Sequence, residues 1–210
     1  MSKLSQENTK AIIQKNIEKI YHLPLKYTYL HQYLRNKSLK ETLLKVYNYI
    51  KTLDNIIFYK HKYIFFADTN TLTYDIRKKK SGNDISNRHI NLLCCIGFIN
   101  KQYQDKDNEK YLTKINKKFL EVTGKKRPIN TFYFRAFTDE ELARLEEQAK
   151  ALSRAKITSG NIRYNKLVCS GLEDIANEVY FANNKQAPQK KMKEFEELLY
   201  IMELLINSQG

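Results

Sequence analysis

Apolar residues recur at steps of three and four along much of this chain, the spacing of helices that bury one face. In "TKAIIQKNIEKIY" (9–21), Ile13, Ile17 and Ile20 share a helical face, and Pro24 lies just beyond. In "SLKETLLKVYNYIKTL", Leu43, Val46, Tyr47, Ile50 and Leu53 keep the period, and Ser38 with Glu41 predicts a capping box. "NIIFYKHKYIFFA" is β-branched and aromatic, which predicts one or two short strands, with Tyr63–Phe66 at the centre. Helical spacing returns over 70–80, capped by Thr69 or Asn70, and over 84–96 after a turn at Ser81-Gly82-Asn83. Gly97 ends that helix before a strand at 98–103.

Beyond it, Leu112, Ile115, Phe119 and Val122 suit a helix over 109–122, although the first half also fits a strand. The alternation in "PINTFYFRAF" predicts a strand over 130–137. Thr138 with Glu141, and Ser170 with Glu173, predict capping boxes for two later helices. A final helix over 189–207 carries Met192, Phe195, Leu199, Met202 and Ile206, a short heptad-like seam. With only 6 Gly and 3 Pro to interrupt it, the chain is expected to be a mainly helical α+β protein.

Charge divides the chain. Residues 1–137 hold 27 Lys+Arg against 11 Asp+Glu, whereas 138–210 hold 10 against 12. The overall +14 therefore sits in the first two thirds, which points to an anionic partner there, most simply nucleic acid. No apolar run reaches the ~18 residues that a membrane span needs, and "MSKLSQENTK" lacks the apolar core of a signal peptide. Three cysteines, two of them adjacent, do not make a disulfide framework, so a reducing, cytoplasmic setting is expected.

The stretch "SNRHINLLCCIGFINK" lies in a helix, strand, helix, turn, helix, strand order that closes with the strand at 130–137. In this order it resembles the reading-helix end of the winged helix-turn-helix superfamily, of bacterial regulator or replication-initiator type. The resemblance covers residues 38–103. It implies Ile90 and Leu93 as buried anchors, Gly97 as the stop, and a β-wing after the helix. The stretch departs from the compact pattern in the length between its wing strands, into which 109–122 is inserted.

On that resemblance the chain divides into a helical extension (1–37), a winged-helix domain with an extended wing (38–137) and a helical association region (138–210). Asn83, Ser86, Asn87, Arg88 and Asn91 face outward from the first turns, types suited to base edges and phosphates. Arg77, Lys78, Lys79 and Lys80 grip flanking phosphates, and Lys101, Lys106 and Lys110 line the wing. The expected partner is double-stranded DNA, with self-association into a homodimer through 189–207. The expected role is transcriptional regulation, with a plasmid- or phage-type replication initiator as the alternative. An initiator often repeats the unit, and "NIRYNKLVCSGLEDIANEVYFANN" is a candidate second helix-turn-helix.

A different class of function is also open. Tyr27, Tyr29, Tyr33, Tyr47, Tyr49, Tyr59 and Tyr63 interleave with lysines, as in surfaces that stack RNA or single-stranded bases. Enzymatic readings have little support: there is no Gly-rich phosphate loop or His-Glu-x-x-His, and the four histidines are scattered. No cofactor is expected. Metal binding is disfavoured because adjacent helical residues such as Cys94 and Cys95 project about 100° apart and do not converge on His89. Those three side chains are expected to be structural, His89 in helix packing or on a phosphate.

Overall fold

The computed structural model describes residues 3–54, 56–59, 61–67, 83–102, 130–180 and 200–201. Among these, three helices come first: α1 (Lys3–Tyr21), α2 (Thr28–Leu34) and α3 (Lys37–Lys51). Strands β1 (Ile57–Tyr59) and β2 (Lys62–Ala67) form a hairpin, followed by helix α4 (Asn83–Ile96) and strands β3 (Asn100–Gln102) and β4 (Asn130–Phe134). Helices α5 (Asp139–Arg154), α6 (Tyr164–Val168) and α7 (Glu173–Tyr180) complete the set. The protein is mainly helical α+β, with one antiparallel sheet in the order β1-β2-β4-β3. Expected helices at 70–80 and 109–122 lie outside the described residues.

Apolar periodicity explains which helix faces turn inward. Ile13, Ile17 and Ile20 of α1 are buried, as are Leu39, Leu43, Val46, Tyr47 and Ile50 of α3. Two caps differ from expectation. Asn36, not Ser38, caps α3, its side-chain oxygen accepting from the Leu39 amide at 3.1 Å. Ser170 does not cap α7; its hydroxyl donates to the Lys166 carbonyl at 2.8 Å and so closes α6 instead. Thr138 does cap α5, accepting from the Glu141 amide at 3.1 Å.

Helix α2 has no apolar signature long enough to predict it, and α5 supplies what it lacks. The Tyr29 and Leu30 amides donate to the two Glu146 carboxylate oxygens at 2.8 and 2.9 Å. A carboxylate there satisfies orphan amides and the positive end of the helix dipole together.

In the sheet, Tyr63 pairs with Phe134, Phe65 with Phe132, and Phe132 with Lys101 of β3. Phe65 and Phe132 stack at 5.6 Å, and Tyr63 and Phe134 at 5.1 Å, forming the aromatic floor of the core. One continuous apolar cluster runs from Ile13 of α1 to Val179 of α7, so all three expected regions share a core. Asn16, 1% exposed, clamps α1 to the end of β4. Its amide donates to the Arg135 carbonyl and its oxygen accepts from the Phe137 amide, both at 2.8 Å. Of the association helix expected at 189–207, Tyr200 and Ile201 are described. Both are helical, and Ile201 is fully buried within the single chain.

Candidate nucleic-acid interface

Helix α4 packs against α3, α5, α7 and β3, which makes its second half the centre of the molecule. Ile90, Leu92, Leu93, Cys94, Cys95 and Ile96 are all buried. Gly97 ends it with φ +95°, and the Phe98 amide reaches back to the Leu93 carbonyl at 3.0 Å, a bond typical of a glycine-terminated helix. Anchoring of this kind fixes the direction of the helix axis.

His89 is spent on packing. It is 3% exposed, and its Nδ1 lies 3.3 Å from the Thr42 hydroxyl, which itself donates to the Ser38 carbonyl at 2.8 Å. Burial pushes the Cys94 thiol up to about 12 and the Cys95 thiol well above its ordinary value. Neither is a thiolate near neutral pH, and both serve as small apolar fillers, as expected. Among the described residues no group of three or more His, Cys, Asp or Glu side chains is placed to hold a metal ion. No described helix is long and apolar enough to cross a membrane.

The expected reading residues fall into three groups. Arg77, Lys78, Lys79, Lys80, Lys106 and Lys110 lie outside the described residues, and the side chains of Asn83 and Ser86 are not described although both sit in α4. Asn87 and Arg88 are half-buried rather than fully outward. The Asn87 Oδ1 is enclosed and meets no donor among the described residues. Arg88 reaches the Gly160 carbonyl from its Nη1 at 3.4 Å, on the loop between α5 and α6.

Asn91 and Lys101 form the third group and are bonded to each other. The Lys101 Nζ donates to Asn91 Oδ1 at 2.7 Å, so each occupies the polar end of the other. The Tyr180 hydroxyl of α7 also lies against Asn91, and burial raises it to about 12. The physical reason is α7, which packs on α4 and β3 and covers this side of the helix. Asn91 and Lys101, both half-buried, therefore tie β3 to α4.

Three of the seven tyrosines of the expected aromatic surface turn inward. Tyr27, Tyr33 and Tyr47 are buried, and the Tyr33 and Tyr47 hydroxyls donate to the Ile157 and Phe98 carbonyls at 2.8 and 2.9 Å. Rings placed like this support the core and offer no face to a base. A cluster not anticipated from sequence lies where β4 meets α5. The Glu141 carboxylate takes Arg144 at 2.6 and 3.1 Å, and Arg135 approaches it to 3.7 Å. Arg135 and Lys62 lie over the Tyr133 ring, 5.8 and 4.5 Å from its centroid. Comparison with known proteins brings no family to this geometry: no family model, curated protein or solved structure matches the chain.

Proposed function

We propose that the chain binds double-stranded DNA sequence-specifically through a winged helix-turn-helix and acts as a transcriptional regulator. The observation that carries the reading is the strand order. Strands β3 and β4 follow α4 and pair with each other as a wing does, while β2, which precedes α4, pairs with the other edge of β4. On this reading β3 and β4 are the wing, and they share one sheet with β2. A helix anchored by its buried C-terminal half suits the role of a reading helix, whose N-terminal residues meet base edges in the major groove. Arg88 is then the base-reading side chain, and the cations of the basic two thirds neutralise phosphates.

The initiator alternative draws on α6 and α7, joined by a tight turn with Gly171 at φ +73°, a helix-turn-helix in outline. Its second helix, however, exposes Glu173, Asp174 and Glu178, acids that a phosphate backbone repels. Duplex reading is therefore assigned to α4 alone.

The test is selection of bound sites from a random duplex library, followed by anisotropy titrations of Arg88→Lys. Loss of a bidentate guanidinium contact to guanine with the charge kept should cost roughly 1–3 kcal/mol on the preferred site. Binding to unrelated duplexes should barely change. If Arg88→Lys discriminates among sequences as the wild type does, α4 is not the reading helix.

A further inference from the structure

The charge of the C-terminal region, near neutral as a whole, hides a strongly basic segment. Between Glu147 and Glu173 there is no acid, while Lys150, Arg154, Lys156, Arg163 and Lys166 all fall there. Lys150 pairs with Glu147 at 3.2 Å. The other four are exposed, and none has a side-chain hydrogen bond or ion pair among the described residues.

The fold brings this segment to α4. Gly160, at the middle of the loop 155–163, accepts from Arg88, 72 residues earlier in sequence. The loop is rigidly built. Ile157 and Ile162 are 1% and 3% exposed and pin its two sides to the core. The Tyr33 hydroxyl holds the Ile157 carbonyl at 2.8 Å. Asn161 crosses the loop, accepting from the Thr158 amide and donating to the Lys156 carbonyl, both at 2.8 Å. Lys156 itself sits in the left-handed region, φ +53°. A loop fixed in advance loses little conformational freedom on binding a partner.

We propose that this loop, with Lys156 and Arg163 as its charged groups, binds backbone phosphates of the same duplex whose bases α4 reads. The inference rests on the reading of α4 given above. Exposed cations without acid partners favour an anion, and contact with Arg88 places that anion beside the reading helix. Exposed Thr158 and Asn165 supply neutral donors of the kind that also contact phosphates. An acidic protein would satisfy the charge alone, but it has no reason to sit at the start of α4.

The experiment uses the full chain carrying Lys156→Ser with Arg163→Ser, titrated against the selected duplex, an unrelated duplex and a single strand. Thermal melts confirm that the exposed substitutions leave the fold intact. Losing two phosphate contacts should make the logarithmic salt slope shallower by about 1.8. Between 50 and 200 mM salt, wild-type affinity should then fall roughly twelvefold more than that of the variant. The preference between the two duplexes should persist.

An unchanged slope on duplex DNA, or a loss confined to the single strand, overturns the proposal. Arg88→Lys, run in parallel, separates the two readings. If it loses sequence preference while the loop variant is silent, the loop inference fails and the α4 reading stands. If the loop variant lowers the slope while Arg88→Lys keeps its preference, the phosphate site stands and the reading helix does not.

Discussion

Replacing Gly97 by alanine measures how tightly the end of α4 is set into the fold. Two effects act at this position. The backbone has φ +95°, which an L side chain rarely adopts. A Cβ would also lie 2.7 Å from Gln148 Oε1, 2.9 Å from Arg144 Nη2 and 3.0 Å from Leu145 Cδ2. Gln148 and Arg144 cannot simply swing aside, because they bond each other at 2.7 Å and Arg144 is held by Glu141. Leu145 is fully buried.

Gly171 supplies the control. Its φ is +73°, and a Cβ there meets nothing within 4 Å, so Gly171→Ala carries backbone strain alone. That strain costs about 1 kcal/mol, the lower end for a residue held in a sparsely populated conformation. Gly97→Ala adds overpacking of about 2 kcal/mol, for a total of about 3 kcal/mol. In a chain of this size these values lower Tm by roughly 3 °C for Gly171→Ala and roughly 9 °C for Gly97→Ala. Calorimetry and urea titration of the two variants beside the wild type make the comparison. Equal losses at the two glycines would refute the argument, since contact with α5 would then contribute nothing.

Three other expectations follow from buried groups. With Cys94 and Cys95 buried and Cys169 exposed, a thiol reagent at pH 8 should titrate one group quickly in the native state and all three after unfolding. Because burial raises the native pKa of Cys94 to about 12, the unfolded chain releases that proton first. The contribution is full below about 9 and is lost as pH rises toward about 12, which denaturant titrations across that range will show. Glu141→Gln should cost roughly 1–2 kcal/mol, because the carboxylate is largely buried while both guanidinium partners stay about one-third exposed and partly screened. An unchanged urea midpoint would mean that the cluster adds nothing to stability.

Local patterns along the chain account for most of the secondary elements. Steps of three and four reveal α1, α3, α4 and α5 because a helix that buries one face needs apolar residues at its own period. Aromatic alternation reveals β2 and β4 for the same reason at period two, and Gly97 marks a stop that only a residue without Cβ makes cheaply. The capping expectations at Ser38 and Ser170 failed because several polar side chains near a helix start compete for the same amides. Backbone direction chooses among them, as it chose Asn36.

The tertiary structure decided everything that joins residues distant in sequence. Helix α2 stands on a carboxylate 116 residues away, and no local pattern reveals that Leu30 will meet Glu146. Tyrosine suits a core edge or an open surface equally well, so the burial of Tyr27, Tyr33 and Tyr47 depended on which elements packed over them. Asn87 and Asn91 both read from sequence as outward positions, yet both are half-buried, because a helix face is exposed only where nothing else docks. The loop at 155–163 was hidden by averaging charge over a whole region. An acid-free run of basic residues was legible in the sequence, but its place beside Arg88 was not, because that proximity comes from the packing of α4 against α5.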